Sequence, residues 1–322
     1  MFKTVLLELT YRCNLACSFC YLRHCGRLNS GETELSTAQV KKIIKRFSPG
    51  ADFYLSGGEP LLRPDLPELA AYIKKCGSRF GVNTNGTLLR GPLAKKLAAL
   101  APEYVIFSLH GPEALHDRLS GKKGAWRALV RNMAAFARLA PPRTELIVNC
   151  VICRENAGSL AAVYRIAAKA GARRALFSHL QFLRPGEAAG LKGELAGCGA
   201  ITPELENYSV DTRLVAAQLA KIRALPPGGP HFEVRPLLDK AGLDKYYKRE
   251  LKPTGACFKA LNSLNVEPDG KVRLCVSYGL AIGNAAGTSA AAMLRRKKAL
   301  LGGALPPGCA RCCHRFDIFR YF

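Results

Sequence analysis

At 322 residues and 48% apolar, the chain is long enough for one large α/β domain with a small appendage, and apolar enough for a sizeable core. Its apolar runs stop short of the roughly 18–20 residues that cross a bilayer, and its opening, MFKTVLLELTYRC, lacks a signal-peptide core and cleavage site, so a cytoplasmic protein with no membrane partner is expected. The 48 Lys+Arg against 24 Asp+Glu give a formal charge of +24, a field suited to nucleic acid, an acidic peptide or an acidic electron carrier; runs such as KKIIKR and LRRKKALL place that charge on solvated helix faces, which argues against nucleic acid.

In chain order, short apolar strands alternate with amphipathic helices. TVLLELT (4–10) reads as a strand and STAQVKKIIKRF (36–47) as a helix capped by Ser36. DFYLSGGEP (52–60) is a strand entering a glycine turn, followed by a helix over 63–77 that Gly77 stops. RFGVNTNG (79–86) is a strand, and 91–101 a helix with Pro92 near its start. Strands at 103–111, 144–156 and 173–183 alternate with helices at 124–140 and 157–171, the last with Asn156 as its expected cap. Residues 184–206 read as loop, and a helix near 212–224 ends at the PPGGP break. Beyond 250, ALNSLNVEPDGKVRLC (260–275) reads as a hairpin turning at PDG, followed by a basic helix near 288–301.

Six βα units with short βα loops imply parallel strands and place functional residues at the strands' C-terminal ends. The distinctive motifs fall there. Cys13, Cys17 and Cys20 follow the first strand, Gly57-Gly58-Glu59-Pro60 the second, Asn83-Thr84-Asn85-Gly86 the third and Ser108-Leu109-His110-Gly111 the fourth. Thirteen cysteines, an odd number in a chain this long, argue for metal ligation in a reducing compartment rather than disulfides. Three thiolates in one loop suit an iron–sulfur cluster or zinc. Zinc would need a fourth ligand, for which His24 and Cys25 are the near candidates. A cubane held by three thiolates keeps one iron open to a small molecule.

The CxxxCxxC loop, with Phe19 before its last cysteine, and the GGEP turn resemble the radical S-adenosylmethionine (radical SAM) enzymes. The resemblance implies a partial (β/α)6 barrel, in agreement with the six units counted above. It implies a [4Fe–4S] cluster on Cys13, Cys17 and Cys20, and S-adenosylmethionine (SAM) on the open iron. Phe19 would then lie by the adenine, and Gly57, Gly58, Glu59 and Pro60 would hold the amino group, with Glu59 pairing with the ammonium. Asn85 and Ser108 would serve the ribose or carboxylate. Arg118 is a looser carboxylate candidate, because its spacing from Ser108 does not match all relatives. Cys257, Cys275, Cys309 and Cys312 resemble the ligands of the C-terminal SPASM extension in its shorter, twitch form. That form implies one auxiliary [4Fe–4S] cluster, with Cys313 able to replace Cys312; a four-cysteine zinc site is the competing reading.

The expected organisation is thus a barrel over 1–225, a linker over 226–250 and a small hairpin-and-helix iron–sulfur domain over 251–322. Cys150 and Cys153 lie three apart in a strand, point to opposite faces and read as core, as does Cys76. Cys25 and Cys198 have no assignment. His110, His116 and His179 lie near the rim with no role fixed, and no catalytic acid or base is identified.

The resemblance implies reductive SAM cleavage and hydrogen abstraction from a peptide, protein or small molecule, with a flavodoxin or ferredoxin as electron donor. The auxiliary cluster would aid oxidation or substrate binding. The chain starts on its first strand, with no fused leader-peptide-binding domain, which weakens the case for an independent peptide modifier. An RNA-modifying enzyme of the same family and a non-catalytic iron–sulfur carrier are the alternatives. Glu59 and its glycines, which a carrier would not need, speak against the carrier.

Overall fold

The computed structural model describes residues 2–180, 208–248, 250–251, 257–276, 279–301, 309 and 312. Seven parallel strands run in chain order: β1 (Thr4–Glu8), β2 (Asp52–Ser56), β3 (Arg79–Thr84), β4 (Tyr104–Ser108), β5 (Glu145–Ile152), β6 (Arg174–His179) and β7 (His231–Arg235). Each pairs in register with the next, beginning with Thr4 opposite Asp52. The result is an open, partial (β/α) barrel. The connections carry α1 (Tyr21–His24), α2 (Thr37–Phe47), α3 (Leu66–Lys75), α4 (Gly91–Ala99), α5 (Glu113–Ser120), α6 (Ala125–Leu139), α7 (Leu160–Lys169) and α8 (Thr212–Arg223). Among the described residues no helix is long and apolar enough to cross a membrane.

Local chemistry sets these elements. On α2, Val40, Ile43, Ile44 and Phe47 make one buried stripe, and Ser36 and Gln39 form the reciprocal capping box that starts it. Asn156 does not cap α7, whose N-cap is Ser159. Its side chain instead accepts from Cys153 N (2.8 Å) and donates to the His110 and Val151 carbonyls (2.9 and 2.7 Å). The polar helix α5 was not anticipated. The stretch 226–250, expected as a linker, holds β7 and α9 (Lys240–Lys248). The loop expected over 184–206, Cys198 and Cys313 lie outside the described residues.

The strand period divides the barrel into layers. Tyr104, Ile106, Ile147 and Leu176 pack with Tyr54 as a separate buried cluster inside the sheet. Gly81 belongs to it by default: the Tyr104 ring fills the space where a Cβ at Gly81 would sit, 2.1 Å away. Two residues further along the same faces come Ser56, Asn83, Ser108, Asn149 and Ser178. Each strand therefore runs from an apolar floor to a polar rim.

The C-terminal elements extend this sheet. After α10 (Phe258–Asn262), β8 (Ser263–Val266) pairs parallel with β1, then antiparallel with β9 (Lys271–Arg273), which pairs with β10 (Ala281–Asn284). Gly270, at φ +88°, makes the turn of the expected hairpin. On α11 (Ala290–Leu301), the buried Lys297 Nζ donates to the Ala260, Ser263 and Leu274 carbonyls at 2.7–2.8 Å, pinning the helix to the hairpin.

Candidate functional site

A cavity opens at the C-terminal ends of β1–β4. Cys13, Cys17 and Cys20 line it, with Gly57 and Gly58 after β2, Asn83 and Thr84 at the end of β3 and Asn85 after it, and Ser108 at the end of β4 and His110 after it. His116 and Ser120 of α5 complete that side.

The thiol loop is held by backbone contacts. Asn29 brackets Cys13, its side chain accepting from Cys13 N (2.9 Å) and donating to Cys13 O (3.2 Å). Ala16 and Ser18 donate to the Ser120 and Leu119 carbonyls, both at 2.9 Å. Gly58 N and Glu59 N donate to the Thr10 and Arg12 carbonyls at 2.7 and 2.8 Å. This packing needs both glycines: a Cβ on either would lie 2.3 Å from Thr10 O or Arg12 O, and Gly57 has φ +126°. Behind the loop, Tyr21 donates to Glu8 (2.5 Å), and Arg273 pairs with Glu8 and Glu267. This buried ion group joins the loop to β9.

The rim residues differ in what they face. Glu59 is fully buried and absent from the cavity wall. Its Oε1 accepts from Thr84 Oγ1 (2.8 Å) and Leu61 N (3.0 Å), and its Oε2 from Asn85 N (2.7 Å). The carboxylate expected to meet a ligand ammonium therefore faces the chain, because its own turn, the end of β3 and the first residue after it supply its donors. Pro60 begins a buried helical turn behind it. Asn85 donates to Asn14 Oδ1 (2.8 Å), and its Nδ2 stands 4.0 Å from Cys13 Sγ. Arg118 is exposed on α5 and absent from the wall; Ser120, two residues on, takes the inner face. Phe19 meets the His110 ring edge-on at 4.7 Å.

The donor set fits an iron–sulfur cluster with a polar ligand. Burial pushes the Cys13 thiol up to about 11 and Cys17 to about 12, the latter helped by its two neighbouring thiolates, and raises Cys20 as well. A metal centre bound there would have to displace those protons, since only the thiolate ligates. Among the described residues no three metal-binding side chains converge closely enough for a single ion. Asn83 Oδ1 is buried without a hydrogen-bond partner among the described residues, on the wall of the same cavity. The sequence placed Asn83 in the rim motif after the third strand but gave it no role; the signal for one was the two-residue step from Gly81 along one face of β3.

The remaining cysteines separate by place. Cys257 precedes α10 and Cys275 follows β9, both half-buried. Cys309 and Cys312 are buried, with Cys312 N donating to Cys309 O (3.3 Å). Cys150 is buried in β5 and Cys153 just beyond it, as core. No disulfide links the described cysteines. His179 is buried against Tyr246 and Tyr247, 2.7 Å from the Tyr247 hydroxyl, and away from the cavity wall.

A family model described as the radical SAM superfamily matches residues 7–165. Over 303 residues the chain is 28% identical to the AdoMet-dependent heme synthase of Nitratidesulfovibrio vulgaris, covering 89% of this chain and 77% of that protein. Over 285 residues it is 30% identical to a PqqA peptide cyclase of Xanthomonas campestris, covering 84% and 66%. A 42% match to an Fe-coproporphyrin III synthase of Methanosarcina barkeri covers 40% of this chain and only 32% of that protein. The fold resembles anSMEcpe with bound AdoMet (TM-score 0.67, 19% identity, 93% of this chain and 82% of that one). It also resembles Streptococcus suis SuiB bound to its precursor peptide SuiA (TM-score 0.66, 13% identity, 100% and 67%).

Proposed function

Since the chain belongs to the radical SAM superfamily, we propose that Cys13, Cys17 and Cys20 bind one [4Fe–4S] cluster, with SAM in the cavity beside it. When bound, this pair supplies one-electron cleavage of the sulfonium, releasing methionine and a 5′-deoxyadenosyl radical that takes a hydrogen atom from substrate. The observation that carries the reading is the shared cavity, in which three thiols meet Gly57, Gly58, Asn85 and Ser108 from the ends of successive strands. Three thiolates leave one iron of a cubane for the ligand. Gly57 and Gly58 let the thiol loop close on the β2 turn, and Glu59 and Pro60 hold that turn from behind. Asn83, Asn85 and Ser108 offer polar contacts, and Arg118 is left out because it faces solvent.

The proposal includes an auxiliary [4Fe–4S] cluster on Cys257, Cys275, Cys309 and Cys312, in the unit that begins near residue 251. Its support is that Cys257 and Cys275 flank one end of the hairpin while Cys309 and Cys312 lie one turn apart. That cluster would take an electron from the substrate radical or anchor the substrate. A peptide or protein substrate is favoured by the 285-residue likeness to a peptide cyclase. A small-molecule substrate is the second reading, favoured by the 303-residue likeness to a heme synthase. An acidic flavodoxin or ferredoxin suits the charge of +24 and the exposed Arg12, Arg23, Lys122 and Lys123 about the thiol loop. We place the protein in the cytoplasm, where such thiols stay reduced.

One anaerobic preparation tests this. The reconstituted protein should hold roughly eight iron atoms, and should form 5′-deoxyadenosine from SAM under a reductant. A flavodoxin as donor should lose rate as salt rises. Product formation no greater than that of Cys13→Ala would sink the proposal.

A further inference from the structure

Two histidines on the cavity wall have no part in the reading above. His110 follows β4 and His116 lies on α5; they are 4% and 1% exposed. Their rings stack at 13°, centroids 5.9 Å apart. With Phe19 edge-on to His110, the three rings form a row from the thiol loop to α5.

Hydrogen bonds fix where each ring carries its proton. His116 Nδ1 accepts from the His110 backbone N–H (3.2 Å), and His110 Nδ1 accepts from the Val151 backbone N–H (3.3 Å). A ring nitrogen that accepts is unprotonated, so each neutral ring carries its hydrogen on Nε2. Burial favours the neutral form in both. At His116 this donor is buried with no partner among the described residues, a condition native structures rarely leave unmet. The neighbouring acid, Asp117, is turned away from the rings: its oxygens accept from Gly124 N (2.6 Å) and Trp126 N (2.8 Å).

We propose that the His110–His116 pair receives the adenosine part of SAM, with His116 Nε2–H donating to a neutral acceptor on the purine or ribose. This rests on the SAM reading above. The chemistry selects that part of the ligand. The sulfonium and ammonium are cations and call for acceptors, and a carboxylate is best met by a cation or several donors. A neutral N–H beside a row of flat rings matches a base whose ring nitrogens accept and whose face stacks. Phe19 then acts by bracing His110, and the histidines make the contact. His116 is a binding residue in this scheme, with no proton to transfer.

The test is anaerobic calorimetry on the reconstituted holoprotein. His116→Phe keeps a ring of similar size but no donor. It should weaken SAM and 5′-deoxyadenosine binding about tenfold or more, with iron content and methionine binding unchanged. His116→Gln, which restores an N–H, should recover part of the loss. In the wild-type protein, one member of a 1-, 3- and 7-deaza-5′-deoxyadenosine series or of the 2′- and 3′-deoxy series should bind about tenfold more weakly than its parent. The same analogue should lose nothing further in His116→Phe. Equal affinity of wild type and His116→Phe, or a wild-type protein indifferent to every analogue, overturns the proposal. So does a parallel loss of iron and methionine binding, since it would mark a structural role. A wild-type protein that binds no SAM overturns the SAM reading and this inference with it.

Discussion

Glu59 commits both carboxylate oxygens to Thr84, Leu61 and Asn85, and thereby joins the end of β2 to the end of β3. Burial outweighs these three donors and pushes its pKa up to about 7. The folded state thus holds a proton that the unfolded chain releases near 4.5. Stability of the iron-free protein should fall as pH rises from about 4.5 to about 7, then level off with respect to this group. In Glu59→Gln the amide NH2 would face a donor. That variant should lose about 1–3 kcal/mol and the pH dependence in this window. Urea unfolding at pH 5 and pH 7.5 checks both. The GGEP turn was legible as a site in the sequence, but the partner of its carboxylate was not. Thr84 and Asn85 become its donors only when β3 is laid beside β2. The same holds on α5, where a helical step of two residues turns Arg118 outward and Ser120 inward.

The thiol loop is shaped as much by its neighbours as by its own residues. Gly58 leaves room for Arg12 O, and Gly121, at φ +67°, lets Ala16 approach, where a Cβ would come within 3.0 Å of the Ala16 carbonyl. Gly58→Ala should therefore displace the loop base and cut iron held at Cys13, Cys17 and Cys20 by more than half. Iron assay in a background lacking the four C-terminal cysteines reads that site alone, and retained full loading would refute the idea. Most strands were legible because parallel strands covered on both faces read as apolar runs, as in VIF of β4. HFEVR of β7 escaped because a short strand at the far end of the parallel run carries exposed and charged residues, and the PPGGP break before it suggested a linker. EALHDRLS of α5 escaped because its buried face is partly polar, with His116 and Ser120 turned inward.

Among the described residues ten strands form one sheet, in which β8, β9 and β10 continue from β1. The C-terminal unit is thereby joined to the barrel by a strand ladder and by the buried Arg273–Glu8–Glu267 group. Removing the shared cation would leave two buried carboxylates facing each other with less compensation. Arg273→Met should cost about 3–5 kcal/mol and loosen iron at the N-terminal loop, although the residue lies far from it in sequence. Thermal unfolding and iron release to a chelator would measure the two effects, and an unchanged release rate would deny the coupling.

The place of β1 between β2 and β8, with Thr4 opposite both Asp52 and Ser263, bears on how the protein is made. During synthesis β1 emerges shortly before β2, whereas its other neighbour, β8, emerges only after all the intervening strands. The long loop that this pairing closes makes it a slow step of folding. The Arg273–Glu8 side behind Cys13, Cys17 and Cys20 is finished only then, so on the proposed reading a cluster would be fitted after β8 and β9 have docked rather than to the first strands alone.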